Sequence, residues 1–417
     1  MKSQPSSLLP IFLIVVVDVL ALTIMLPLLP FYAEHFGASP TVVGLLVGTY
    51  ALCQLVAGPV LGQISDRVGR KPVLAVSQVG TLAGLLVLAW APNLWWVFLG
   101  RVLDGVTAGN LSTAQAYIAD TTPPKERSRA FALIGIAFGI GFLIGPGASG
   151  YLTHHFGFRT PILGAAGLSL LSIVGTVVLL PNEPTPGALV HAATAEEGPV
   201  PPGGRRVRVL DWGAYVTYFR RPVLGALLLE FFLFTLAFAM FTSGAALFAE
   251  RRFSWHGAPF GPKEVGYIFM YSGFVGILVQ GALRQGALVR IVREQRLVLF
   301  GFAGAAVGYA LLGVSQGVGL LALAVSVTAV GTGVLRPALT SLITQEVGRS
   351  EQGVVLGLNQ SLMSVSQMLG PAIAGVLIDR RLLLEWALLA AFLMLAGFIA
   401  SFRGLVQPAP GTGPPAS

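Results

Sequence analysis

Long apolar runs alternate with short polar connections along the whole chain. Twelve runs stand out, at about residues 8–32, 41–61, 72–90, 95–118, 129–151, 160–180, 222–249, 264–283, 297–314, 318–343, 353–378 and 384–403. Each comes close to the ~20 apolar residues that a helix needs to cross a bilayer. The pattern predicts an all-α polytopic membrane protein with twelve transmembrane helices. The first run, Leu8–Tyr32, is too long for the apolar part of a signal peptide and meets no small-residue cleavage site, so it reads as the first span.

An even number of spans places both termini on one side, and the cations say which. Eighteen Lys and Arg residues fall in connections on the terminal side and six on the other. Cytoplasmic loops carry this excess, so both termini are expected in the cytoplasm. Only Arg101 and Arg336 lie inside runs. All six Trp sit near run ends or in connections, as an interfacial belt requires.

The longest connection is Pro181–Arg221. Its first part, Asn182–Gly204, is rich in Pro, Gly, Ala and Glu and reads as a flexible linker. Its end, Val209–Arg221, is aromatic with a basic tail and suits a short helix on the cytoplasmic interface. The chain then divides into a six-helix bundle at 1–180, the linker at 181–221, and a second six-helix bundle at 222–417. The halves repeat. An offset of 225 residues places Gly370-Pro371 on Gly145-Pro146, Gly375 on Gly150 and Glu351 on Glu126. Two such halves imply a pseudo-twofold axis along the membrane normal, with a substrate site near the midplane between them.

Composition agrees with this class. The chain is 54% hydrophobic and 11% charged, against about 25% charged in soluble domains. Its net charge of +8 resides in the connections, which points to membrane topology rather than nucleic acid. Cys53 is the single cysteine, so no intramolecular disulfide or cysteine metal cluster is expected. No H-E-x-x-H, G-x-S-x-G or G-x-x-x-x-G-K-[ST] pattern is present, which speaks against an enzyme and against ATP drive. No cofactor or metal is expected.

The stretch Gly62-Gln63-Ile64-Ser65-Asp66-Arg67-Val68-Gly69-Arg70-Lys71 packs three cations and one acid into a connection between two apolar runs. It reads as a loop that latches moving parts. An offset copy, Gly286–Arg293, keeps the Gly and the basic charge but not the acid. Ionisable groups inside spans are costly and each needs a reason. Asp18 lies near the middle of the first run. Arg101 and Asp104 share a face of the fourth, being three residues apart. Glu230 in the seventh run and Arg336 in the tenth lie at matching depth.

These features resemble the major facilitator superfamily. Gly62–Lys71 is similar to its loop of the form G-x-x-x-D-R-x-G-R-K between helices 2 and 3. Gly141, Gly145, Pro146 and Gly150 resemble the helix 5 motif of the family's antiporters, with one terminal Gly where two are usual. Arg101–Gly105 resembles the helix 4 motif R-x-x-x-G. Within the superfamily the chain looks like the drug:proton antiporters, the tetracycline exporters among them, through Asp18 with Met25-Leu26-Pro27, Tyr50–Gln54, Ile118–Thr122, Phe248–Trp255 and Gln352-Gly353. Those exporters carry further acids in helices 3 and 9, where Gly84 and Ala305 stand here. That departure speaks against tetracycline itself as the substrate.

The resemblance implies a secondary active transporter that exports a small amphipathic compound in exchange for protons by alternating access. A symporter or uniporter of a small nutrient with the same fold is the alternative, and a non-transporting receptor a remote one. Asp18, Arg101, Asp104, Glu230 and Arg336 are the candidates for proton coupling and the substrate cavity, with structural ion pairs as the competing reading for Arg101–Asp104 and Glu230–Arg336. Gln54, Asn110, Gln115, Phe234, Phe238, Asn359 and Gln360 are candidate substrate contacts. Gly62, Asp66, Arg67, Gly69, Arg70, Lys71 and Asp120 form the candidate gate, with Arg70 expected to pair with Asp120, Asp66 to face the start of helix 11 and Gly62 to allow close approach of that helix. The expected setting is a monomer in a bacterial inner membrane. Its partners are the lipid bilayer, protons and a small-molecule substrate.

Overall fold

A backbone in lipid must satisfy its own N–H and C=O groups, which favours helices. The computed structural model describes residues 8–122, 127–180, 212–284, 294–348 and 351–406, and the apolar runs there are helical. In the first half these are α1 (Leu9–His35), α2 (Pro40–Val68), α3 (Arg70–Ala89), α4 (Leu94–Val106), α5 (Asn110–Thr121), α6 (Arg127–Phe156) and α7 (Arg159–Leu179). The second half holds α8 (Trp212–Phe219), α9 (Pro222–Arg252), a two-residue hairpin β1 (Ser254–Trp255) and β2 (Ala258–Pro259), α10 (Pro262–Arg284), α11 (Glu294–Val314), α12 (Val318–Gln345), α13 (Gln352–Asp379) and α14 (Leu383–Val406). Most of the linker and all of the loop copy Gly286–Arg293 lie outside the described residues.

The expected fold class stands, and two details differ from the expectation. Eleven helices among the described residues are long and apolar enough to span a membrane. The twelfth, expected at 95–118, is broken into α4 and α5 at Thr107–Gly109. Thr107 Oγ1 turns back to donate to the carbonyls of Leu103 at 2.8 Å and Asp104 at 3.2 Å. Gly109 then passes so close to α2 and α3 that a Cβ there would meet Ser77 Oγ at 2.8 Å and Leu61 Cδ1 at 2.9 Å. An interrupted helix is tolerated at membrane depth when protein surrounds it. The second correction concerns Gly62–Lys71, which is almost entirely helical. The α2 helix runs to Val68 and α3 starts at Arg70, so the link is Gly69 alone, at φ +107°. That angle excludes most side chains.

Contacts divide the chain into two units, and the division does not follow the linker. The first unit comprises residues 1–204 with 242–274 and 367–381. Within it, α6 lies wedged between α1 and α10, and glycines make both faces possible. A Cβ on Gly141 would meet Val19 Cγ1 at 2.6 Å, and one on Gly145 would overlap Thr23, both of α1. Thr23 Oγ1 also donates to the Gly141 carbonyl at 2.9 Å. On the other face, a Cβ on Gly147 would stand 2.8 Å from Met270 Sδ, and one on Gly150 2.5 Å from the Pro262 carbonyl oxygen. Gly266 faces the Pro146 carbonyl in the same way.

This seam occurs twice. Gly44 of α2 lies against the Pro371 carbonyl of α13, and Gly375 of α13 against the Pro40 carbonyl. The repeat that pairs Pro146 with Pro371 and Gly150 with Gly375 thus reappears as two equivalent glycine-to-carbonyl contacts. Close backbone approach of this kind is what small residues permit between membrane helices. Ion pairs and polar bonds gather near the same end of the unit. Arg251 reaches Glu34 at 2.5 Å and Glu250 at 2.9 Å, and Thr41 donates to Asp379 at 2.6 Å.

The second unit comprises residues 205–241, 275–366 and 382–417. Its centre is α11, packed on α12 and α14. Gly397 of α14 accommodates the Phe302 ring, and Gly331 of α12 meets the backbone of Ala305 at 2.5 Å from its would-be Cβ. The short α8 is tied to the start of α13. Arg221 donates to both oxygens of Glu351, at 2.8 and 3.0 Å, and stands 4.8 Å over the Tyr218 ring. Hydrogen bonding from Arg221 holds the Glu351 carboxyl below the usual glutamate range. The stabilisation is therefore present above the ordinary glutamate pKa and is lost as pH falls through the lowered one. Both side chains are partly exposed, so the tether is a weak one.

The seams predict where the fold is intolerant. Gly150→Leu and Gly375→Leu should each destabilise the purified protein by about 1–3 kcal/mol, the usual cost of overpacking. Gly164→Leu, in open space on α7, should leave stability unchanged. Thermal melting in lipid nanodiscs checks this, and identical midpoints for all three would rule out close-packed seams.

Candidate functional site

The charge inside the spans of the first unit begins at Asp18 on α1. Apolar residues surround it along the helix, and its own side chain is half-buried. Its partners are neutral. Gln78 of α3 donates from Nε2 to Asp18 Oδ2 at 3.3 Å and to Ser172 Oγ of α7 at 2.8 Å. Ser172 also hydrogen-bonds Asp18. Ser169, one turn away on α7, donates to the Gln78 carbonyl at 3.2 Å. Gln78 and Ser172 were missed by reasoning from sequence. The available signal was that Gln78 is the sole amide in its apolar run, and that Ser169 and Ser172 share a helix face.

Arg101 and Asp104, one turn apart on α4, form a buried ion pair. Thr81 of α3 hydrogen-bonds Asp104, and the Arg101 guanidinium lies 4.8 Å over the Tyr50 ring of α2. Glycines again allow the approach. A Cβ on Gly84 would stand 2.7 Å from the Gly100 carbonyl and 3.0 Å from Asp104 Cβ, so no acidic side chain fits at position 84. Gln54 turns to the Tyr50 hydroxyl at 3.4 Å. The charge of Asp104 reaches Asp18, but Arg101 is not among the hydrogen-bonding partners of Asp18. The expected three-residue cluster is therefore an ion pair beside a separately held acid.

In the second unit the expected Glu230–Arg336 pair is not formed. Glu230 of α9 is buried and hydrogen-bonds Ser401 of α14. Arg336 of α12 reaches Met363 Sδ of α13 at 3.5 Å. Matching depth in the membrane did not mean matching azimuth around the helices. Phe231, Phe234 and Phe238 form a chain of rings along α9, with centroids 6.4 and 6.0 Å apart. Thr235 on the same helix bonds Ser366 of α13 at 2.8 Å. Asn359 is buried, with neither amide atom hydrogen-bonded among the described residues, and Gln360 beside it is exposed. Asn110 at the start of α5 has a buried, unbonded Oδ1, while Gln115 is half-buried.

The charged connection has a definite geometry. Arg70 Nε donates to Asp120 of α5 at 2.8 Å, the contact anticipated from sequence. Arg70 also pairs with Asp66 at 2.5 Å and donates to Ser65 Oγ at 2.6 Å. Asp66 itself and Arg67 are exposed. Lys71 does something the sequence did not reveal. Its Nζ donates to the carbonyls of Val177 at 3.0 Å and Leu180 at 2.6 Å, capping the C-terminal end of α7. A Cβ added to Gly62 would meet nothing within 4 Å, so the close helix approach expected there is absent among the described residues.

Comparison with known proteins places the chain. The family model described as Major Facilitator Superfamily matches residues 11–299 and 285–417. The chain is 29% identical over 377 residues to the tetracycline resistance protein, class C, of Escherichia coli, covering 89% of each. It is 27% identical over 381 residues to multidrug resistance protein 2 of Bacillus subtilis (strain 168), covering 91% of this chain and 90% of that protein. Among solved structures it is similar to the human organic anion transporter MFSD10 (TETRAN), with a TM-score of 0.69 and 21% identity over 96% of this chain and 100% of that one.

The Arg101–Asp104 geometry generates a test. Breaking a buried pair strands an uncompensated charge, at about 3–5 kcal/mol. Arg101→Leu or Asp104→Leu should each show that loss in thermal melting of the purified protein. The double variant should recover most of it. Failure of the double variant to recover would show that the two side chains do not compensate one another.

Proposed function

Since the chain belongs to the major facilitator superfamily and is thus an integral multi-pass membrane transporter, we propose that it is a proton-driven exporter of a small amphipathic compound. The observation that carries this is the contrast between the two acids inside the spans of the first unit. Asp104 has a cation beside it, whereas Asp18 is held, among the described residues, by the neutral side chains of Gln78 and Ser172. A carboxyl held by neutral groups can exist with or without its proton at modest cost, which is what a coupling site requires. A proton entering down a 100 mV potential supplies about 2.3 kcal/mol. The names of the relatives, a tetracycline resistance protein and a multidrug resistance protein, favour outward movement of a drug-like compound. Tetracycline itself is not proposed, given Gly84 and Ala305.

In this reading Asp18 carries the proton. Arg101 and Asp104 form a fixed charged wall beside it. The substrate contacts are Gln54, Asn110 and Gln115 in the first unit and the phenylalanine face of α9 with Asn359 and Gln360 in the second. Glu230 and Arg336 are the charged residues that the second unit contributes to transport. Transport proceeds by alternating access, with Arg70–Asp120 as a gate contact. The setting is a bacterial inner membrane with both termini in the cytoplasm.

Asp18→Asn should abolish uphill, proton-driven uptake of substrate into inverted vesicles while leaving expression and substrate binding largely intact. A variant that still concentrates substrate would remove Asp18 from the coupling route. Substrate uptake accompanied by proton entry, rather than exit, would favour symport instead.

A further inference from the structure

The proposal for Asp18 leaves a physical problem. A buried hydrogen-bond partner suited to a carboxylate is a donor, and the same partner is wrong for the neutral acid, which needs an acceptor. Gln78 is fully buried, so it cannot turn to solvent when the charge changes. Its Nε2 stands between Asp18 Oδ2 and Ser172 Oγ, while its Oε1 is buried with no hydrogen bond among the described residues. The amide is therefore held at one end only.

We infer that Gln78 is a positioning residue for proton exchange, turning its amide end for end as Asp18 gains or loses its proton. The two ends of an amide have nearly the same shape, so the turn needs no new space. With Asp18 ionised, Nε2 donates to the carboxylate and to Ser172 Oγ, and the Ser172 hydroxyl donates to Asp18. With Asp18 neutral, Oε1 occupies that place. It accepts the acid proton of Asp18 and the hydroxyl proton of Ser172. The other end lacks a partner in either orientation, so the charge on Asp18 alone decides between them.

The surrounding charges leave this choice local. Among ionisable side chains on the helices packed around α1 and α3, Asp66, Arg67, Arg70, Lys71, Asp120, His154, His155 and Arg159 lie at or near helix ends. Asp104 is the like charge that acts on Asp18, and it is paired with Arg101.

This inference rests on Asp18 being the coupling acid, and one experiment separates the two claims. Infrared difference spectra of the full-length protein in lipid, recorded during acid titration, should show an acid carbonyl band that Asp18→Asn removes. In Gln78→Leu the band should move to higher frequency, because its acceptor is gone. Its midpoint should rise by about one pH unit, because the carboxylate loses a charge-assisted donor worth about twice a neutral one. The pH profile of proton-driven flux should move the same way. Gln78→Met gives the same readout if the leucine variant misfolds. Gln78→Glu should raise the midpoint further, since two carboxyls then share one proton. An unmoved band and midpoint in the leucine or methionine variant would reduce Gln78 to a space-filler while leaving Asp18 in place. A full set of bands surviving in Asp18→Asn would overturn both claims.

Discussion

The apolar layer of a bilayer offers a polar group no water, so each must find its partner within the protein or stay out. Much of this molecule follows from that constraint. It makes the runs helical, and it tolerates the break at Thr107–Gly109 because protein surrounds it. It also sorts the buried charges into two kinds. Arg101 and Asp104 answer each other with opposite charge, backed by Thr81 and the Tyr50 ring. Among the described residues, Asp18 is answered by an amide and a hydroxyl. The first arrangement resists change and the second invites it.

Lipid is as apolar as leucine, so helices in a membrane gain little by burying apolar surface against one another. Association must come from close packing and polar contacts. The glycine-to-carbonyl seams are the local answer, and they reveal the internal repeat more directly than sequence identity does. Pro146 against Gly266 and Pro371 against Gly44 are the same contact built from two halves of the chain. The antiporter-like glycines of α6 have two duties. Gly141 and Gly145 receive α1, and Gly147 and Gly150 receive α10.

Much of the fold could be read from residues alone, because span length and apolarity depend on bilayer thickness and little else. The Arg101–Asp104 pair was legible for a related reason: two residues three apart on a helix must be neighbours. The Arg70–Asp120 contact followed from a motif with few alternatives. What could not be read depended on rotation about helix axes. Glu230 and Arg336 agree in depth yet meet different partners, Ser401 and Met363. Gln78 and Ser172 are ordinary polar residues until three helices bring them to Asp18. Gly62–Lys71 has a loop's composition, but its charges sit on helix ends, where Lys71 caps α7 and a single glycine makes the turn.

The interruption after α4 has a mechanical consequence. Had the fourth span been one rigid rod, any displacement at its charged end would tilt its whole length. Because the rod is jointed at Thr107–Gly109, Asp120 stands on one helical segment and Arg101 and Asp104 on another. The contact with Arg70 belongs to the one and the buried ion pair to the other. The joint thus divides the buried Arg101–Asp104 pair from the partly exposed Arg70–Asp120 contact.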